Sequence, residues 1–135
     1  MNSIEHIGIA VSDLEQSIEL YTALLDTPCY KTEVVESEQV TTAFFQKGDQ
    51  KIELLASTDP QGTIAKFIDK KGQGIHHIAF AVADIKAEVQ RLKAAGFVFV
   101  SEEPKRGADN KWVVFMHPKS AGGALVELCQ EINPD

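Results

Sequence analysis

Two stretches of the chain alternate large and small side chains in the same order. In the first, Ile7, Ile9 and Val11 take the bulky positions and His6, Gly8 and Ala10 lie between them; in the second, Ile78, Phe80 and Val82 alternate with His77, Ala79 and Ala81. A period of two is that of a β-strand, in which alternate residues share a face. Each stretch therefore predicts a strand with a bulky face under a helix and an open face where an imidazole sits beside Gly or Ala. An acidic cap follows each, Asp13 or Asp84, and then the period becomes helical. Leu14, Ile18, Tyr21 and Leu25 mark one face of the first helix; Ile85, Val89 and Leu92 mark the second, which Gly96 ends as its C′ residue. Short β-rich runs come next, near 29–35, 40–46 and 50–56 in the first half and near 97–100, 111–117 and 123–130 in the second.

The two halves read as copies of one βαβββ module. Residues 6–14 and 77–85 are identical at five of nine positions at an offset of 71, and Ile52-Glu53-Leu54 answers Val126-Glu127-Leu128 at an offset of 74. Between the halves, Asp59-Pro60-Gln61-Gly62 signals a turn and Thr63 to Lys70 a short helix ending before Gly72. Each half alone is too short to bury a full core, so the two are expected to pack as one domain over 1–135, with repeats at about 1–58 and 73–132 joined by the helical linker. The expected class is α+β.

Composition narrows the partners. With 20 acidic against 13 basic residues the net charge is −7, which opposes a nucleic-acid backbone. No run approaches the roughly 18 apolar residues of a membrane span, and Glu5 and His6 interrupt the start where a signal peptide needs an apolar run; the expectation is a cytoplasmic location. Cys29 and Cys129 form no paired framework and are read as free thiols.

The candidate chemistry lies in the repeated polar positions. Strand parity separates the adjacent histidines: His76 falls with Ile78 and Phe80, His77 on the open side with Ala79. His6 and His77 taken singly fit ordinary half-buried strand histidines, but their recurrence at equivalent positions favours a shared role. Glu127 shares its face with Leu125 and Cys129 while Val126 and Leu128 take the other, so its segment reads as buried on both sides. A buried carboxylate is costly unless it is paired or holds a metal. Glu53 has Lys51 and Leu55 on its face, and for it a solvated Glu–Lys strand stays open. Two imidazoles and two carboxylates suit a divalent first-row cation, leaving two octahedral positions for water or substrate.

These residues resemble the vicinal oxygen chelate superfamily and, within it, the methylmalonyl-CoA epimerase family, nearly end to end. The segments that carry the resemblance are His6-Ile-Gly-Ile-Ala-Val, Ile52-Glu-Leu-Leu, Ile64-Ala-Lys-Phe, Gly74-Ile-His-His-Ile-Ala-Phe, Glu102-Glu-Pro-Lys-Arg-Gly, Phe115-Met-His-Pro-Lys-Ser, Gly122-Gly and Leu125-Val-Glu-Leu. The Glu-Glu-Pro-x-x-Gly and His-Pro-Lys-Ser segments are the more specific. The resemblance implies a cupped mixed sheet with helices outside and a homodimer. It implies His6, Glu53, His77 and Glu127 as ligands of a divalent metal, cobalt before manganese, nickel or zinc. It also implies interconversion of (2R)- and (2S)-methylmalonyl-CoA through an enolate that the metal stabilises, formed by removal of the α-proton.

Glu127 is the expected base for one face and Glu53 a second catalytic carboxylate. Some relatives place a glutamate in the strand that follows Glu38-Gln39; here Thr42 falls near that position, so the second proton carrier stays open among Glu53, Glu38 and a bound water. Lys105, Arg106, Lys119 and Ser120 are the expected contacts of the coenzyme A moiety, with Lys111 flanking the same loop, and His117 is read as shaping its loop. Lactoylglutathione lyase shares the His, Glu, His, Glu pattern and is the enzymatic alternative. A non-catalytic sequestering protein of the same architecture is the alternative of another class, and a ring-cleaving dioxygenase with two His and one carboxylate fits the donor set less well.

Overall fold

The computed structural model describes residues 1–101 and 103–132. The chain forms two compact units, His6–His76 in one and Met1–Glu5 with His77–Asp135 in the other. The first unit holds most of β1 (Ser3–Ala10), then α1 (Leu14–Leu25), β2 (Lys31–Val35), β3 (Val40–Lys47), β4 (Gln50–Ser57) and α2 (Thr63–Lys71). The second holds most of β5 (Gly74–Ala81), then α3 (Ile85–Ala94), β6 (Lys105–Gly107), β7 (Lys111–Met116) and β8 (Val126–Glu131).

Both units carry the same strand pattern. In the first the order is β2-β3-β4-β1, with β4 parallel to β1 and the other neighbours antiparallel. In the second it is β6-β7-β8-β5, with β8 parallel to β5 and the rest antiparallel. The last strand of each module thus returns beside the first, which brings residues some fifty positions apart into register.

Capping decides where the helices start. The Asp13 carboxylate accepts from Gln16 N–H at 3.0 Å and that of Asp84 from Ala87 N–H at 3.1 Å, each satisfying a donor that the first helical turn leaves without a partner. At the far end of α3, Gly96 takes φ 98° and Phe97 N–H reaches back to Leu92 C=O at 3.0 Å. The inward stripe of α1, with Leu14, Ile18, Tyr21 and Leu25, packs on Val11, Ala43, Phe45, Leu54 and Ala56. The stripe of α3 enters a core of Val82, Phe99, Val114, Met116 and Leu128. In each module the bulky strand face is therefore the face that carries α1 or α3; on the opposite face of the first module Ala10 and Leu55 pack with Val40 and Ile64 of α2.

The second module departs from the sequence expectation before β7. The run at 97–100 makes only one isolated bridge, Phe99 to Met116. Around that bridge Val100 N–H donates to Phe115 C=O at 2.8 Å and Val98 C=O accepts from His117 N–H at 2.8 Å, but the ladder goes no further, because Phe97 N–H closes α3 and Val98 N–H goes to Ser120 Oγ at 2.9 Å. The strand that pairs with β7 is the short polar β6 instead, just after Pro104, whose missing N–H cannot serve a ladder. β8 starts at Val126 rather than near 123, because Gly122 and Gly123, with φ 68° and 99°, turn the chain and Gly123 N–H bonds Pro118 C=O. β2 begins at Lys31, two residues later than expected, after Pro28 and Cys29. Glu102 lies outside the described residues. Among the described residues no helix is long and apolar enough to cross a membrane.

Two buried histidine–glutamate pairs

Each module places one imidazole against one carboxylate by the same register. In the first, Glu53 on β4 stands opposite Gly8 on β1, two residues past His6. In the second, Glu127 on β8 stands opposite Ala79 on β5, two residues past His77. A side chain at +2 from the histidine points to the same face; with Gly or Ala there, the carboxylate reaches the ring unobstructed. His6 Nδ1 lies 3.1 Å from Glu53 Oε2, and His77 Nε2 lies 3.1 Å from Glu127 Oε1. The four residues are only 4–6% exposed. The open alternative of Glu53 on a solvated Glu–Lys strand does not describe this carboxylate.

Burial at this level sets the chemistry. A desolvated carboxylate is held by an opposite charge, by hydrogen bonds or by a metal, and removing one partner of such a pair is far costlier than its net worth. The pairs fit a cation on donor type and on spacing: two donors bound at right angles at about 2.1 Å stand about 3.0 Å apart.

A second residue in each module was missed by the sequence reading. On its other side each glutamate faces a phenylalanine on the antiparallel neighbour, Phe44 on β3 against Glu53 and Phe115 on β7 against Glu127. Phe44 and Phe115 are 71 positions apart, the offset that separates the two histidines, and that coincidence is the signal that marks them. An aromatic on one flank and Gly or Ala on the other give each carboxylate an apolar wall and an open side.

Among the other expected residues, His76 packs edge-on against Phe67 of α2, with ring centroids 4.9 Å apart, and takes no part in either pair. Lys105 pairs in register with Val113 and so shares the Glu127 face at the sheet margin, whereas the Arg106 guanidinium stacks over Trp112 on the helix side, 5.3 Å from its centroid. Lys119 and Ser120 lie in a 3₁₀ turn (Pro118–Ala121). There Ser120 Oγ holds Val98 N–H, and His117 Nδ1 accepts from Lys119 N–H at 3.2 Å, so that His117 organises the loop from within. Glu38 sits half-buried in a 3₁₀ turn between β2 and β3. Thr42 is 1% exposed on β3, and its hydroxyl has no hydrogen-bond partner among the described residues. Cys29 and Cys129 stand outside any disulfide, as expected, and the Cys129 Sγ lies 3.6 Å from Phe80 C=O.

Comparison with known proteins places this geometry in a family. Residues 5–115 match the model of the Glyoxalase/Bleomycin resistance protein/Dioxygenase superfamily. The chain is 42% identical over 129 residues to the ethylmalonyl-CoA/methylmalonyl-CoA epimerase of Cereibacter sphaeroides, covering 94% of this chain and 96% of that protein. It is 38% identical over 131 residues to the mitochondrial methylmalonyl-CoA epimerase of Homo sapiens, covering 96% and 74%. The chain belongs to the methylmalonyl-CoA epimerase family. A solved member, a variant of the Streptomyces coelicolor methylmalonyl-CoA epimerase in complex with 2-nitronate-propionyl-CoA, superposes with a TM-score of 0.91 at 34% identity over 97% of this chain and 95% of that one. Membership makes this protein an enzyme of the epimerase class, and the paired βαβββ modules are the α+β fold of the superfamily.

Proposed function

We propose that this protein interconverts the two epimers at C2 of methylmalonyl-CoA, with His6, Glu53, His77 and Glu127 sharing one divalent cation. The observation that carries the reading is the duplicated pair: in a chain of the epimerase family, each module buries one imidazole 3.1 Å from one carboxylate at the same register. The names of the relatives supply the substrate class; the donor set supplies the rest. A bound cation would supply positive charge beside the substrate's thioester and carboxylate oxygens, where charge grows as the α-proton leaves.

The chain's own residues carry the remaining work. Glu127 takes the α-proton on a carboxylate oxygen, and the apolar wall of Phe115 keeps water from competing for it. Ala79, opposite Glu127, leaves the space a reacting carbon needs. Return of a proton to the other face inverts the centre. Lys105, on the Glu127 face at the sheet margin, is assigned to the anionic end of the acyl-CoA, together with Lys119, Ser120 and, from the other side of β6, Arg106. The active form is taken to be a homodimer.

The deciding experiment mixes purified protein with (2R)- or (2S)-methylmalonyl-CoA in deuterated buffer, with and without chelator, and follows the α-proton by NMR. Exchange and interconversion that chelator abolishes support the reading. Silence on both epimers, with turnover of the methylglyoxal–glutathione adduct, replaces it with lactoylglutathione lyase activity.

A further inference from the structure

Register sets three side chains of the second module in one row. Glu127 on β8 stands opposite Phe115 on β7, and the bridge of Phe99 to Met116 puts Val100 opposite Phe115 in turn. Directly paired residues project to one side. Phe99 enters the core under α3, so its neighbours Val98 and Val100 take the other face, that of Glu127. Exposure climbs along the row, from 6% at Glu127 through the half-buried Phe115 to 62% at Val100, with Val98 at 57% beside it.

We infer that Val98 and Val100 are the track on which the pantetheine arm of the acyl-CoA lies. The inference rests on the epimerase reading and deepens it, because it assigns the stretch of substrate between the reacting acyl group and the charged nucleotide.

Single exposed apolar side chains are ordinary on a protein surface. These two share a face and continue the ring that walls Glu127, so ring and methyl groups make one apolar path from the carboxylate to the sheet margin, about 10 Å over two strand spacings. In the next row along β7 and β8, Val113 and Cys129 pack together at 4% and 2% exposure. The exposed path from Glu127 therefore leads over Phe115 to Val100.

The backbone beneath this path is fixed. Val98 donates its N–H to Ser120 Oγ and accepts from His117 N–H, while Val100 N–H is held by Phe115 C=O. With these groups engaged the track offers methyl groups, which suit the methylenes and dimethyl carbon of a pantetheine arm. Cations border it: Lys105 shares the face through its pairing with Val113, and Lys119 lies in the turn whose Ser120 holds Val98. An apolar track that ends among cations matches an apolar arm that ends in an anionic nucleotide.

The test compares wild type, Val98→Ser/Val100→Ser, Val100→Ile and Leu24→Ser, the last a change at an equally exposed apolar residue on α1. The substrates are the methylmalonyl thioesters of coenzyme A and of pantetheine, which keeps the arm and lacks the nucleotide. The serine double variant is expected to raise KM about 10-fold for both thioesters with kcat within about two-fold, as loss of apolar contact to a part of the substrate remote from the reacting carbon predicts. Calorimetric titration with propionyl-CoA should show its Kd rising by the same factor. Val100→Ile should hold KM at or below the wild-type value, and Leu24→Ser should leave it unchanged. An unchanged KM in the double variant overturns the proposal. So does a fall in kcat at constant KM, a rise confined to the coenzyme A thioester, or a wild-type dimer that the double variant splits, which would make the track an interface between copies. A wild type inactive on both epimers overturns the epimerase reading itself, whereas a missing KM effect in an active enzyme leaves that reading standing.

Discussion

The Phe115 ring meets the His77 imidazole edge-on, with centroids 5.6 Å apart and planes at 85°. The same phenylalanine pairs through its backbone with Glu127. One residue thus fixes the orientation of the ring and walls the carboxylate that the ring faces. Phe115→Ala removes both supports while leaving every donor in place. The expected outcome is a fall of about 10–100-fold in α-proton exchange, the scale seen when a supporting contact to a ligand is lost, with a smaller loss for Phe115→Leu. Kinetics on both epimers, alongside urea midpoints to separate site disorder from unfolding, checks this.

Ligand loss should be graded by role. His77→Ala and Glu127→Gln each remove a donor and leave its partner buried, so both should abolish measurable exchange and lower metal affinity in calorimetric titration. His76→Ala deletes only a ring contact with Phe67 and should leave activity within a few-fold of wild type. The reverse result, a lethal His76→Ala and a harmless His77→Ala, would require β5 to be slipped by one residue.

Removing the metal should act on the site before it acts on the fold. The hydrophobic cores formed by Leu54 with α1 and by Leu128 with α3 contain no ligand, so protein treated with chelator should keep its circular dichroism spectrum while losing exchange activity. Addition of a divalent first-row cation should restore activity, and the ion that restores most identifies the preference of the donor set. Loss of secondary structure on chelation would mean that the ion is structural.

Acid stability should respond to a site remote from the chemistry. Glu88 is held at about 2 rather than 4.5, first by the Arg91 guanidinium and then by the Met1 ammonium, which lies 2.8 Å away. A carboxyl depressed in the folded state contributes stability above its unfolded pKa and loses it as the pH falls through the folded value. Glu88→Gln is therefore expected to cost about 1 kcal/mol at pH 7, the upper range for surface ion pairs. Wild-type and variant unfolding midpoints should converge between pH 4.5 and 2. A difference that stays constant across that range would assign the cost to packing.

Much of this was legible in the chain because duplication made the same signal appear twice. The strand parity of His6 and His77, the Asp13 and Asp84 caps and the inward stripes of both helices follow from periods of two and of a helical turn, which tertiary contacts reinforce. What the sequence concealed lay where local propensity competes with longer-range hydrogen bonds. Residues 97–100 read as a strand, yet only one bridge to the end of β7 forms, since the Phe97 and Val98 donors go to Leu92 and Ser120; Lys105–Gly107 read as a polar loop, yet it pairs with β7. Phe44 and Phe115 drew no role from the chain alone, since nothing local distinguishes a ring that fills a core from one that walls a carboxylate.

Parallel pairing of the first and last strands has a consequence for how the protein matures. His6 and Glu53 are 47 positions apart and His77 and Glu127 are 50, and each carboxylate reaches its imidazole only after the intervening helix and two strands have been laid down. Closure over such separations is slow compared with helix or hairpin formation. Neither half-site can exist in a nascent or partly unravelled chain, so each histidine–glutamate pair marks a module whose last strand has closed on its first.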